Sequence, residues 1–346
     1  MVESAQQIGV LCAYVPRELI EAAGFEVRVV SGLEADGFEE VLPANLCPHV
    51  RRAAGLLSQP GAADLAGVVV ADSCFPMLRL WDHLEASGAA IPRWLLHVPH
   101  RDTPLAARYF RDELERLAAG LAVAAGLPGL AVARIEAAVA ASNRHREQCR
   151  QAVAGLLEGR ILRLTPRLLD LFEGRAAAAI DVAPEVPENI AVARRRPRVM
   201  LVGSYFVTKE LVELLHGMGA DVCAVESCAH YRSGTSPVAL AAGGDPFLAL
   251  AEAYLAQPPC PRMQGGGERA EAAGRLVDAG AVDGVVYLLM KSCTPHAYAV
   301  PLWRERLERA GAPLLVLEVE DDDWSQPRLA TRLEAFVEAL AGRAAP

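Results

Sequence analysis

The stretch that most constrains this chain is GVVYLLMKSCTPH, residues 284–296. Its apolar run, with two consecutive valines, is typical of a parallel strand that is buried on both faces. The run ends in a polar turn whose first reactive side chain is Cys293. Because ligands gather beyond the carboxyl ends of parallel strands, this thiol is expected to face a site. The sequence LAGVVVADSC, residues 65–74, predicts a second strand that delivers Cys74 in the same way.

Strands and helices alternate in two separate parts of the chain, which predicts an α/β fold. The first part contains strands predicted at residues 8–14, 25–31, 65–72 and 94–97. The second contains strands predicted at residues 199–202, 221–226 and 314–318 together with the run that starts at Gly284, and a helix predicted from Pro301. Residues 103–173 have a helical period, and the proline-containing residues 183–198 are predicted to form a linker.

This order predicts two Rossmann-like (flavodoxin-like) parallel-sheet domains with a helical segment between them. The expected division is an N-terminal α/β domain at residues 1–102, a helical domain and linker at residues 103–196, and a C-terminal α/β domain at residues 197–346.

Composition excludes several classes of function. The net charge of −9 without a long basic run argues against nucleic-acid binding. No run approaches the roughly 18 apolar residues that a membrane span requires, and the polar residues 1–7 do not form a signal peptide. We therefore expect a cytoplasmic protein, in which disulfides are disfavoured. Its eight cysteines are then buried inert thiols, a catalytic thiol or metal ligands.

Most of the cysteines are predicted to lie at the ends of helices and strands, whereas inert core cysteines are expected in their interiors. Only Cys149 and Cys223 fall inside predicted elements. The six at element ends are Cys12, Cys47, Cys74, Cys228, Cys260 and Cys293. No C-x-x-C pair is present, which disfavours a structural zinc site. Dispersed thiolates suit an iron–sulfur cluster, but the spacing alone also allows unrelated buried thiols.

No other motif assigns a catalytic residue. The chain lacks the P-loop sequence of nucleotide hydrolases, the glycine fingerprint of dinucleotide sites and the G-x-S-x-G turn of α/β-hydrolases. A cysteine nucleophile with His100 or His296 as its base is also compatible with the sequence.

Several motifs, taken in order, resemble a known family that comprises 2-hydroxyacyl-CoA dehydratase D components, benzoyl-CoA reductase subunits and double-cubane cluster proteins. The resemblance rests on Cys12 to Ile20, Leu42 to Pro48, Asp72-Ser73-Cys74, Asp245-Pro246, Tyr254, Pro259 to Met263, Asp283-Gly284-Val285, Lys291-Ser292-Cys293, Leu317-Glu318 and Thr331 to Phe336. These segments span nearly the whole chain.

The resemblance implies a [4Fe–4S] cluster in the cleft between the two α/β domains, with Cys47, Cys74 and Cys293 as its ligands. It also implies a low-potential electron from a separate ATP-hydrolysing iron–sulfur activator, which fits the lack of a P-loop here. That electron would drive ketyl-radical dehydration of a 2-hydroxyacyl-CoA or reduction of an aromatic acyl-CoA. A related subunit is expected as partner, in a homodimer or heterodimer.

Two departures from the family pattern bear on this expectation. Phe75 stands where many members have Asp after the middle cysteine, and the chain begins almost at its first strand, which puts acyl-CoA binding in doubt. Conversely, Cys12 with Asn45-Leu46-Cys47-Pro48 resembles the double-cubane members. In that alternative, Cys12, Cys228 and Cys260 join the other three as ligands of an [8Fe–9S] double cubane that reduces small molecules. A non-enzymatic electron-transfer subunit and a chain without a cluster also stay open.

Overall fold

The structure is a computed structural model that describes residues 6–30, 41–59, 64–158, 163–173, 196–204, 207–228, 236–265, 267–320, 324 and 326–343. The chain divides into two compact units. The first unit comprises Met1–Arg146 and Ser236–Gln264, and the second comprises Glu147–Thr235 and Gly265–Pro346. The three-part division at residues 1–102, 103–196 and 197–346 stays a prediction, and its linker lies outside the described residues up to position 195.

The described residues form strands and helices close to the predicted ones. The strands are β1 Gln7–Val10, β2 Glu26–Val29, β3 Leu65–Ala71, β4 Arg93–Leu96, β5 Arg198–Gly203, β6 Asp221–Glu226, β7 Gly284–Met290 and β8 Leu314–Val319. The helices are α1 Arg17–Ala23, α2 Pro48–Ser58, α3 Phe75–Ala86, α4 Pro104–Ala124, α5 Val132–Leu157, α6 Pro166–Glu173, α7 Lys209–Gly217, α8 Pro246–Leu255, α9 Glu268–Asp278, α10 Thr294–Arg309 and α11 Pro327–Arg343.

Each unit contains one four-stranded sheet in which all neighbouring strands are parallel. The strand order is β2-β1-β3-β4 in the first sheet and β6-β5-β7-β8 in the second. Both orders have the flavodoxin-like pattern, whose topological switch point lies between the first and third strands. The predicted fold class is therefore confirmed. The switch points lie beyond β1 and β3 in the first unit and beyond β5 and β7 in the second.

Alternating side chains of β3 divide the core of the first unit into two layers. Val68 and Val70 pack into a cluster with apolar residues of α2 and α3. Val69 and Ala71 belong to the cluster on the other face, which includes residues of α1, α4 and α8. Because both faces of the sheet are covered, only its edges and strand ends are left for polar and ligand-binding groups.

In the second unit, a glycine fixes the end of β5 against β7. A Cβ added at Gly203 would lie 2.0 Å from the carbonyl oxygen of Leu288, and its φ of +137° also disfavours other residues. Next to it, Ser204 donates its backbone N–H to the Leu288 oxygen (3.0 Å), and its Oγ accepts the N–H of Met290 (2.7 Å). These contacts fix the strand end from which the chain turns toward Cys293.

Two predicted boundaries are wrong. The first strand was expected to run to residue 14 but ends at Val10, because the chain turns at Cys12, whose carbonyl accepts the N–H of Val15 (3.2 Å). The helix expected from Pro301 begins at Thr294, where Pro295 occupies the first turn, and Pro301 lies in its interior. A proline in the first turn loses no hydrogen bond, which makes the earlier start favourable.

In the part of the chain that is described, no helix combines the length and the apolar character that crossing a membrane would require.

The first unit contains a fully buried ion pair. Arg146 donates to one carboxylate oxygen of Glu18, and the hydroxyl of Tyr254 donates to the other at 2.8 Å. Glu18 has no exposed surface, and the other two side chains are also buried. Burial alone would raise the pKa of Glu18, but the charge of Arg146 and the hydrogen bonds outweigh it and lower this pKa below 4.5. The pair joins α1, α5 and α8.

Replacing Arg146 by Met should lower the free energy of unfolding by about 3–5 kcal/mol, because the Glu18 carboxylate would stay buried without its partner. Urea unfolding at pH 7 measures this loss. Since the folded-state pKa of Glu18 is lowered, its contribution is complete above pH 4.5 and declines as the pH falls below that value.

The matched control is Arg150→Met on the same helix, because Arg150 is half-exposed and pairs with Glu147. We expect it to cost less than about 1 kcal/mol. Equal losses in the two variants would contradict the assigned role of the buried pair.

Candidate functional site

Two cysteines of the first unit lie directly before helices. Cys47 precedes α2 and Cys74 precedes α3, and each of these helices has a proline in its first turn. The carbonyl of Cys47 accepts the N–H of Val50 at 3.0 Å, and that of Cys74 accepts the N–H of Met77 at 3.1 Å. Helix starts expose unpaired amides and the positive end of the helix dipole, so both sulfur atoms lie where negative charge is favoured.

Two further cysteines are held near the ends of β1 and α8. Cys12 lies in the turn that follows β1. The hydroxyl of Tyr14, which is fully buried, accepts the backbone N–H of Cys260 at 3.2 Å. The Cys260 carbonyl then accepts the N–H of Met263 at 2.7 Å, which closes a turn. Tyr14 therefore joins the loop after α8 to the turn after β1.

The thiols of Cys47, Cys12 and Cys260 lie within electrostatic reach of Cys74. Burial is the largest of the effects that raise the pKa of Cys74 to about 12. A hydrogen bond with the Met77 amide opposes it, and the charges of Cys47, Cys12 and Cys260 add smaller increases. Burial also raises the pKa of Cys47. We call Cys12, Cys47, Cys74 and Cys260 the first thiol group. The raised pKa values of Cys47 and Cys74 favour the protonated thiols, so a metal bound there would have to replace their protons.

The first thiol group fits an iron–sulfur cluster because its donor atoms are of the right type, and not because its side chains approach a single point. Among the described residues, no three His, Cys, Asp or Glu side chains come close enough to hold a single metal ion. A cubane, however, is bound at separated corners by individual thiolates, so its ligands need not meet at one point. The thiols are the soft donors that such a cluster takes. At Cys47 and Cys74, the backbone amides at the starts of α2 and α3 also favour negative charge on the sulfur atoms.

An aspartate–histidine pair lies at the same edge of the first sheet. Asp72 follows β3 and precedes Ser73-Cys74, while His97 follows the neighbouring strand β4. One carboxylate oxygen of Asp72 accepts the N–H of Val98 (2.8 Å), and the other lies 2.9 Å from His97 Nδ1. Asp72 thus fixes the end of β4 relative to the turn that carries Cys74, and it orients the His97 ring.

In the second unit, Cys293 and Cys228 lie near the end of the second sheet. Cys293 immediately precedes α10, after Ser292 with a φ of +61°, and its carbonyl accepts the N–H of Ala297 at 2.9 Å. Cys228 follows β6. Burial raises the pKa of Tyr287 most, the positive charge of Arg269 opposes this increase, and the charges of Cys228 and Cys293 raise the pKa further. Both thiols therefore lie near the hydroxyl of Tyr287.

A buried histidine connects Cys228 to Tyr287. The Nε2 atom of His296 lies 3.5 Å from the sulfur of Cys228, and its Nδ1 atom lies 2.8 Å from the Tyr287 hydroxyl. His296 is 2% exposed and Tyr287 is 1% exposed. A ring held in this way can take a proton from the thiol or donate a hydrogen bond to its thiolate. The cysteine that the structure places beside the candidate base His296 is thus Cys228.

The remaining two cysteines lie inside elements, as predicted. Cys149 is buried in α5 and contacts the carbonyl of Leu171 at 3.8 Å. Cys223 is fully buried in β6, and burial raises its pKa to about 12. Both thiols face backbone carbonyls and are suitable controls.

The six predicted site cysteines thus fall into two sets that differ from the predicted ranking. Cys47 and Cys74 lie with Cys12 and Cys260, two of the residues ranked as secondary ligands. Cys293 lies in the other unit with Cys228. Their roles as metal ligands, and the joining of Cys293 to Cys47 and Cys74, stay predictions.

The sequence did not indicate the contacts near these thiols that involve Tyr14, His97 and Tyr287, nor the pairing of Asp72 with His97. Asp72 and His97 end neighbouring strands, so the strand order would have placed them together. The link from Tyr14 to Cys260 crosses more than 240 positions of sequence, and no local pattern indicates it.

Comparison with known proteins identifies the family. The sequence model of the 2-hydroxyglutaryl-CoA dehydratase D component matches residues 12–340. The beta subunit of lactoyl-CoA dehydratase from Anaerotignum propionicum is 22% identical over 349 residues, covering 96% of this chain and 91% of that protein. The chain therefore belongs to the 2-hydroxyglutaryl-CoA dehydratase D-component family.

Proposed function

We propose that this chain is an iron–sulfur subunit of a 2-hydroxyacyl-CoA dehydratase-like system in the cytoplasm. It would bind a [4Fe–4S] cluster, receive low-potential electrons from an ATP-hydrolysing activator protein, and use them for reductive chemistry on an acyl-CoA or another small substrate. The observation that carries this proposal is that Cys74, which follows β3 at the switch point of the first sheet, interacts electrostatically with three other partly or fully buried thiols.

The properties of the first thiol group support the binding of a metal group. Charging the Cys74 sulfur is unfavourable, first because of its partial burial and then because of electrostatic repulsion from three other thiols. Iron would remove this cost, since it supplies positive charge at the same place. Cys47 and Cys74 are the ligands that we propose from this unit. Cys293 is the third, on the strength of its match to the family motif.

When bound, such a cluster supplies the low-potential electron that allows the hydroxyl group of a 2-hydroxyacyl-CoA to leave. The name of the Anaerotignum protein supports a substrate of this class, since that protein is a subunit of a lactoyl-CoA dehydratase. Its description as a beta subunit also favours an assembly with a related chain. Three protein ligands would leave one iron open to a substrate oxygen, whereas four would favour electron transfer alone.

A double-cubane reductase of small molecules is the second candidate, and a specific observation favours it. Cys12 and Cys260, which a three-ligand cluster does not require, lie in the first thiol group. Cys228 likewise lies with Cys293 beside Tyr287. The two sets, four cysteines in the first unit and two in the second, together contain all six cysteines predicted at element ends, and six is the number of ligands that an [8Fe–9S] group would need.

Replacing Cys47 or Cys74 by Ser should remove most of the iron from protein that is purified and reconstituted without oxygen. We expect a loss from about four irons per chain to below about one, because serine is a poor ligand for this type of cluster. Cys149→Ser is the matched control, since Cys149 is buried in α5 against a carbonyl. Equal iron in the control and in the Cys74 variant would contradict the ligand assignment.

The variants Cys12→Ser and Cys260→Ser separate the two candidates. With a single cubane bound by Cys47, Cys74 and Cys293, both variants should keep about four irons per chain. With a double cubane, the unmodified protein should contain about eight irons, and each variant should lose a large part of them. Iron and acid-labile sulfide analyses of the same samples provide the readout.

Activity is tested with lactoyl-CoA and a chemical low-potential reductant in place of the activator, using the reconstituted chain alone and together with a related alpha-type subunit. The dehydratase proposal predicts an unsaturated acyl-CoA, detected by mass spectrometry, that disappears with Cys74→Ser. Iron-loaded protein that transfers electrons but forms no such product in either sample would instead establish a non-enzymatic electron-transfer role.

A further inference from the structure

The loop that follows α8 contains buried polar atoms without partners, on both sides of Cys260. The amide oxygen and nitrogen of Gln257 have no hydrogen-bond partner, and this side chain is only 4% exposed. The Nε and Nη1 atoms of Arg262 are also buried without an acceptor. Buried polar groups in native proteins are nearly always paired, so this loop indicates a ligand.

Arg262 is fixed in place through its third nitrogen. Its Nη2 donates to the carbonyl of Val98 at 3.1 Å, just beyond β4. The N–H of Gln264 donates to the carbonyl of His100 at 2.8 Å, which holds the loop at the same strand end. The pKa of His100 is lowered, first by its burial and then by the positive charge of Arg262. The guanidinium therefore lies at the edge of the first sheet, on the loop that delivers Cys260.

No carboxylate in the described part of the chain neutralises Arg262. Asp72 lies near His100, but its two carboxylate oxygens are used by Val98 and His97. A guanidinium cannot release its proton, so it cannot avoid the cost of burial in the way a lysine or histidine can. The remaining way to reduce this cost is to bind an anion.

We propose that Arg262 binds an anionic ligand at this edge of the first sheet, with its Nε–H and Nη1–H groups as donors. Two sources share this chemistry. One is the thiolate-bound iron–sulfur group itself, which carries net negative charge, and for this source the inference rests on the proposed function. The other is a phosphate group of an acyl-CoA. The side-chain amide of Gln257 supplies one more hydrogen-bond donor group and one more acceptor in the same loop.

The test compares Arg262→Gln and Arg262→Lys with the control Arg79→Gln, because Arg79 is half-exposed on α3 and pairs with Asp82. If the anion is the cluster, Arg262→Gln should lose at least half of the bound iron or shift the midpoint potential to more negative values. Removing a nearby positive charge disfavours the reduced, more negative state. Arg262→Lys should restore most of the potential, since it keeps the charge.

If the anion belongs to an acyl-CoA, iron content and potential should stay unchanged in Arg262→Gln. The dissociation constant for lactoyl-CoA, measured by calorimetry, should instead rise at least tenfold, with little rescue by lysine because its point charge lacks the guanidinium geometry. Values for Arg262→Gln that match Arg79→Gln in iron content, midpoint potential and lactoyl-CoA affinity would overturn the inference.

The melting temperature of the metal-free protein distinguishes a failure of this inference from a failure of the proposed function. Without any ligand, Arg262→Gln should melt at the same or a higher temperature than the unmodified chain, because it removes a buried, unneutralised charge. A lower melting temperature would assign Arg262 a structural role and overturn the inference. An unmodified chain that binds no iron would refute the proposed function, whereas the lactoyl-CoA titration would still test Arg262.

Discussion

Charging the sulfur of Cys74 is costly because the thiol is largely removed from water and because three further thiols lie within electrostatic reach of it. Burial and like charges both favour the protonated form of a thiol, and here they act together. The backbone amides at the helix starts offset this cost only in part, and a soft metal group would stabilise the thiolates further. Much of the neighbouring structure fixes these sulfur atoms, including the helix starts at Cys47 and Cys74 and the bond between Tyr14 and Cys260.

The parallel sheets explain why reactive groups accumulate at these places. A sheet that is covered on both faces leaves its carboxyl-end edge as the place where the chain changes direction and polar groups can be accommodated. In the first unit this edge carries Cys12, Cys74 and the pair of Asp72 and His97. In the second unit it carries Cys293 beside Tyr287 and His296. In both units, the reactive groups thus lie at the carboxyl-end edge of a parallel sheet.

Local sequence patterns were sufficient for the fold and for the position of each cysteine along its element. The valine-rich runs predicted β3 and β7, and prolines near Cys47 and Cys74 predicted the helix starts. What could not be predicted is the return of residues 236–264 to the first unit, because this depends on tertiary packing of α8 against α4. That return places Cys260 and Arg262 with the first thiol group, whereas their sequence position favours the C-terminal domain.

The most direct test of the account is the iron and acid-labile sulfide content of the unmodified chain after purification without oxygen. We expect a coloured protein that contains both iron and sulfide, about four of each per chain for a single cubane, or about eight irons and about nine sulfides for the double cubane. A colourless protein that contains neither, or one that contains zinc without sulfide, would contradict the central claim that the first thiol group binds an iron–sulfur cluster.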